Sequence, residues 1–118
     1  MDETQRERRG HAFLPPPDEL AVMPKLYQTE PVDAADKIIV VHYFAASADW
    51  WLAEIEPDHE DGPLGFGYCR LAAHPEGAEW GYVSLAELEQ VNAHGGLVIV
   101  ERDLHWRAGK FSEVVRLG

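Results

Sequence analysis

The sequence contains a single cysteine, Cys69, in 118 residues. That excludes an internal disulfide framework and fits a reducing compartment. Nowhere does an apolar run reach the roughly 20 residues needed to cross a bilayer. The opening residues, MDETQRERRGHAFLPPP, have no apolar stretch of the kind a secretory leader carries. The expectation is a cytoplasmic protein with no membrane partner. Basic residues are scarce: 10 Lys and Arg stand against 21 Asp and Glu, a net charge of −11. Between Lys37 and Arg102 the one basic residue, Arg70, faces eleven acidic ones. Such a body repels phosphate backbones, which argues against direct nucleic-acid binding, and it attracts a basic protein partner.

Chemical motifs are also missing. Gly65 and Gly67 lack the third glycine and the following helix of a dinucleotide fingerprint. There is no phosphate-binding loop, no zincin motif and no nucleophile elbow. The six histidines do not fall at ligand spacings, and without a paired Cys or His motif no zinc site and no cofactor is called for. Cys69 reads as a buried small hydrophobe and His42 as a satisfied core imidazole.

What is present is the pattern of a small α+β domain. Residues 1–12 are polar and aperiodic and read as a disordered tail. Pro15–Pro17 is a stiff lead-in to a single domain over 13–118. The chain is organised around Glu79–Asp103. Trp80–Val83 suits a strand, and Ser84 opens a capping box with Glu87. Leu85, Leu88 and Val91 fall on one helical face, Asn92, Gly95 and Gly96 offer left-handed positions to end the helix, and Leu97–Val100 reads as a strand. Upstream, Asp18 can cap a short helix that Pro24 stops. Lys37–Phe44 is the strongest strand, apolar on both faces and therefore central.

Trp50–Glu56 alternates, with Trp51, Ala53 and Ile55 on one side and Trp50, Leu52, Glu54 and Glu56 on a partly wet other side. Leu64–Leu71 places Leu64, Phe66, Tyr68 and Arg70 opposite Gly65, Gly67 and Cys69, whose small size permits close approach. Lys110–Leu117 reads as a terminal helix capped by Ser112. Strands in succession joined by short loops predict an antiparallel meander of about four to five strands, with one or two short helices on one face.

Candidate site residues are acidic and aromatic. Glu101 and Asp103 share a strand face two residues apart, with Arg102 between them as their counter-charge. Glu30, Glu54 and Glu79 lie on strands or strand edges. Trp50 and Trp51 are adjacent, so in a strand they face opposite ways, and Trp50 is a candidate partner surface.

The chain resembles the bacterial family named Domain of Unknown Function 2958. The resemblance rests on Leu26–Glu30, Asp36 before a strand ending in Tyr43 and Phe44, Trp50 and Trp51 with Glu54, Phe66 and Gly67, Glu79–Glu89, and Gly96–Asp103, and covers about residues 13–114. Val83 stands where the family tends to have Phe, and Trp51 and Leu52 replace a more aromatic pair. The resemblance implies a small α+β domain with no assigned activity, of a kind common on plasmids, integrative elements and phage-related islands. It draws attention to Tyr27, Glu30, Glu54, Glu79, Tyr82, Ser84, Glu101, Arg102 and Asp103.

Two functional expectations follow. The preferred one is an accessory protein-interaction module for a basic partner, whose extreme form mimics nucleic-acid phosphates and occupies a nucleic-acid-handling protein. The alternative is a small enzyme or divalent-metal-binding domain built on carboxylates converging around Glu101 and Asp103.

Overall fold

The structure is a computed structural model that describes residues 1–71 and 74–115. It is α+β, with a five-stranded antiparallel sheet at its centre. Four of its strands follow one another as a meander: β2 (Val41–Ala45), β3 (Ala48–Glu56), β4 (Leu64–Leu71) and β5 (His74–Ser84). The fifth, β6 (Glu101–Arg102), returns to pair with β2, so the order is β5-β4-β3-β2-β6. β1 (Ile38–Ile39) and β7 (Gly109–Lys110) form a separate two-stranded ribbon. The apolar run from Lys37 to Phe44 is therefore shared between two sheets, divided at Val40.

The helices are single turns: α1 (Arg6–Arg9), α2 (Pro17–Leu20), α3 (Leu85–Glu89) and α4 (Phe111–Val114). Ser84 caps α3 as its sequence predicts, its hydroxyl accepting from the Glu87 N–H at 3.2 Å. The expected Ser112 cap of α4 is not formed, because the turn already starts at Phe111. Residues 116–118, the end of that predicted helix, lie outside the described residues. The expected strand at Leu97–Val100 is also displaced. Ala93 and Val98 exchange backbone hydrogen bonds around the Gly95 and Gly96 turn, which leaves Leu97 exposed and delays pairing until Glu101.

β3 departs from simple alternation. A bulge between Leu52 and Glu54 shifts the register, so Leu52 lies opposite Gly67 while Glu54 lies opposite Phe66. An extra residue in one strand reverses the faces beyond it. Trp50, Leu52 and Ile55 thus share one face, whereas Trp51 and Glu54 share the other. The sequence reading, which keeps Ile55 with Trp51 and Leu52 with Glu54, is corrected here. Close approach explains β4: a Cβ on Gly67 would sit 2.0 Å from the Trp51 carbonyl oxygen, and one on Gly65 2.8 Å from Leu52 Cδ1.

Both faces of the sheet are covered. On the first, Val41, Tyr43, Leu52 and Ile55 pack with Phe13, Leu20, Leu85 and Val100. On the second, Trp51, Tyr68 and Trp80 pack with Ile39, Trp106, Phe111 and Val115. The Trp106 indole N–H donates to the Ile39 carbonyl at 2.9 Å.

Where the sequence suggests a disordered tail, the structure has a docked segment. Arg9 is buried, paired with Glu89 and Glu3 at 3.1 Å each, and donates to the Val100 carbonyl at 2.9 Å. Glu89 also accepts from the N–H groups of Thr4 and Gln5, both at 2.8 Å. Buried charges persist only when paired and hydrogen-bonded, and these two satisfy each other.

Candidate functional site

The residues 26–30 form a tight turn above the second face of the sheet, and Glu54 holds it there. Its carboxylate is buried, at 2% exposure. Oε1 accepts from the Tyr27 N–H at 2.8 Å, and Oε2 from the Thr29 N–H at 3.0 Å and from the Thr29 hydroxyl. Tyr27 has a φ of 72°, a left-handed conformation that costs a non-glycine residue on the order of 1 kcal/mol. The Glu54 bond to its N–H helps hold that conformation. Lys37, also buried, donates to the Thr29 carbonyl and, at 3.0 Å, to the Thr29 hydroxyl. Glu54 is therefore an internal clamp, not the partly wet carboxylate that simple alternation suggests; the β3 bulge turns it inward under the turn.

The strain at Tyr27 projects its ring into solvent. Tyr27 is 58% exposed and Tyr82, reaching out from β5, is 56% exposed. Their rings meet edge-on at 6.3 Å, and Tyr82 leans on Phe66 at 5.1 Å. With Glu30, Val32, Lys37 and Glu54 these rings line a cleft of about 230 Å³. Two carboxylates, Glu30 and Glu54, face one ammonium, Lys37, which leaves the lining net negative. Desolvation and the adjoining Tyr27 hydroxyl, with a smaller part from the charges of Glu54 and Glu30, push the pKa of the Tyr82 hydroxyl up. Aromatic faces beside a carboxylate suit a cation, which gains from both the ring quadrupole and the charge.

Four of the nine sequence candidates, Tyr27, Glu30, Glu54 and Tyr82, thus meet in one place. The others do not join them. Glu79 is exposed on β5, opposite Cys69 and on the first face. Burial, helped by the Glu79 charge, pushes the Cys69 thiol up to about 11, which keeps it protonated and unreactive at neutral pH. Trp50 packs against the first core and Trp51 is 4% exposed, so neither offers a free aromatic surface.

Glu101, Arg102 and Asp103 lie at the opposite side of the sheet, on and just after β6. Arg102 does not pair with its neighbours there. Its guanidinium donates to the Ala12 carbonyl at 3.2 and 3.4 Å, which ties down the N-terminal segment. Glu101 comes within 3.9 Å of His11. Asp103 bonds His42 Nδ1 at 3.0 Å, and the other ring nitrogen, Nε2, bonds Asp49 at 2.8 Å. Burial raises Asp103, but the bonds from His42 and from the His105 N–H outweigh it and hold the carboxyl below its ordinary value. Arg70 pairs with Asp49 at 3.2 Å and lies over Trp51.

The carboxylates do not converge around Glu101 and Asp103. Among the described residues, no group of three or more His, Cys, Asp or Glu side chains is arranged to hold a metal ion. Sequence reasoning missed Phe66 and Lys37 at the cleft and Thr29 in the turn beside it. The signal for Phe66 was its strand alternation, which already put it on the face of β4 opposite the glycines. The Asp49–His42–Asp103 chain was missed because its members are 7 and 61 residues apart from His42 and no local pattern joins them.

Among the described residues, no helix is long and apolar enough to cross a membrane. A family model described as a protein of unknown function, DUF2958, matches residues 16–116. No curated protein and no solved structure matches the chain.

Proposed function

The chain belongs to the DUF2958 family, and because that membership carries no activity, we propose from its own geometry that it is a protein-interaction module whose Tyr27–Tyr82 cleft holds a basic side chain of a protein partner. The observation that carries this reading is the pair of exposed tyrosines leaning together over Glu30 on a strongly acidic chain. Exposed aromatics that a monomer has no internal reason to present are typical of contact surfaces, where they supply large, rigid area. The Glu54 clamp fixes the turn in advance, so little ordering cost is left for binding. The single cysteine and the charge support a cytoplasmic setting and a basic, nucleic-acid-handling partner.

Titration with a hexa-arginine peptide tests the reading. Binding is expected to weaken as salt rises, since exposed charges are screened. Tyr82→Ala and Glu30→Gln should each weaken it further, while Glu113→Gln, on α4, should not. Affinity unchanged by salt and by both cleft substitutions would overturn the proposal.

A further inference from the structure

The longest strand of the sheet is also its most exposed border. β5 runs eleven residues, from His74 to Ser84, and ends the order β5-β4-β3-β2-β6. Its pairing with β4 is in regular register from Leu64 opposite Ser84 to Cys69 opposite Glu79. Along its other border, no strand among the described residues pairs with it. The opposite edge of the sheet, β6, has two residues and offers little to pair with.

Exposed strand edges template further pairing, and proteins blunt them with lysines, prolines, bulges or brevity. Between Glu79 and Val83, β5 has none of these; Pro75 and the register shift between His74 and Glu79 interrupt only its start. The regular part carries Gly81, where a Cβ would meet nothing within 4 Å. The strand also carries Glu76 and Glu79, both exposed, with no basic residue beside them in the strand. The pairing places Glu79 on the first face, opposite Cys69, and Trp80 and Tyr82 on the second. An added strand therefore meets a carboxylate on one face and aromatic rings on the other.

We propose that the edge of β5 from Glu79 to Val83 receives an extended basic segment of a protein partner as a sixth strand. The inference rests on the reading of the chain as an interaction module, and it adds the mode of binding: main-chain pairing along β5, with Tyr82 leading from that edge to the cleft. The charge selects the occupant. A second copy pairing antiparallel about Glu79 would set two Glu79 carboxylates opposite each other, and like charges directly opposite destabilise a sheet. A lysine or arginine of a basic strand instead finds Glu79 as a cross-strand partner, with the exposed Glu76 adding to the local negative charge. Strand addition takes its affinity from backbone bonds and its specificity from alternate side chains.

The test uses the full chain with a monomeric nonapeptide alternating lysine with valine or threonine, and the same peptide N-methylated at alternate residues. N-methylation keeps the charge but removes the backbone donors of one edge. The parent peptide is expected to slow amide exchange across residues 79–83, and its N-methylated form to bind weaker by on the order of tenfold. Glu79→Lys should weaken the parent peptide similarly, with the circular dichroism spectrum unchanged. If both peptides bind equally in a salt-dependent way and exchange in β5 is unaltered, strand addition is overturned while the interaction reading stands. Binding of neither peptide, in a protein that also ignores hexa-arginine, would overturn both. Protection of residues 79–83 without peptide, together with a dimer's mass, would assign the edge to a second copy and overturn the proposal.

Discussion

At the scale of single residues, the buried Arg9–Glu89 pair is the most consequential contact. Glu89→Gln keeps the shape of the side chain but leaves Arg9 in the interior without its counter-charge, and breaking a buried pair in this way costs about 3 kcal/mol. Urea melts should show the loss at neutral pH. Burial alone would raise the Glu89 carboxyl, but the N–H groups of Thr4 and Gln5 and the Arg9 guanidinium hold it below the ordinary value. A folded-state pKa below the unfolded one contributes stability that is complete above the unfolded value, about 4.3, and is lost as pH falls through the folded one. The gap between wild type and Glu89→Gln should therefore narrow in acid below about pH 4. A gap that stays constant would show that Glu89 acts through shape rather than charge. Arg102 is the contrasting case. Its sequence neighbours suggested a counter-charge for Glu101 and Asp103, but it bonds the Ala12 carbonyl. Arg102→Ala should cost about 1 kcal/mol, by the same amount at neutral and acidic pH in urea melts, because a backbone acceptor does not titrate.

At the scale of elements, local signals were legible wherever they act over a few residues. Ser84 reads as a cap and is one; Ser84→Ala should lower stability by about 1 kcal/mol in thermal melts without altering peptide binding. The alternation of β4 was legible for the same reason, since small residues at Gly65 and Gly67 have only one use beside a packed strand. The bulge in β3 was not, because nothing in Trp50–Glu56 marks Ala53 as an extra residue until its pairing with β4 is known. The strand expected at Leu97–Val100 failed differently. Its β-branched residues fit a sheet, but the turn before them closes Ala93 onto Val98 and removes their backbone groups from pairing. The terminal ribbon was unreadable, since Ile38 and Ile39 find Gly109 and Lys110 some 71 residues away.

For the whole molecule, composition was a fair guide to class and charge and a poor one to where charge is used. The acidic residues separate into an internal clamp at Glu54, an anchor at Glu89, a histidine-bridged chain at Asp49 and Asp103, and an exposed remainder that includes Glu30, Glu76 and Glu79. The sequence reading names Tyr27, Glu30, Glu54 and Tyr82 one by one, and the structure places all four around one cleft. It sets Glu30, Glu54 and Glu79 beside Glu101 and Asp103, which the fold separates, because one-dimensional order says nothing of which end of a sheet a residue reaches. The unpaired excess leaves a net charge of −11 that repels itself in the compact state. Raising salt from about 0.05 to 0.5 M, enough to shorten the screening length to a few ångströms, should therefore raise the melting temperature. A melting temperature that falls instead would mean that internal pairs outweigh the global repulsion.

The extra residue in β3 has a consequence at the level of mutation. Ala53 is fully buried and small, so exchanging it for glycine or serine disturbs little beyond its own site. Losing its codon should be gentler than the loss of any other residue of the strand. One residue fewer removes the bulge, yet Leu52 and Glu54 stay opposite Gly67 and Phe66, so nothing from Glu54 to Glu56 changes sides. In the genetic history of this chain, position 53 is therefore where β3 can shed a residue without turning the carboxylate that clamps the Tyr27 turn into the apolar core.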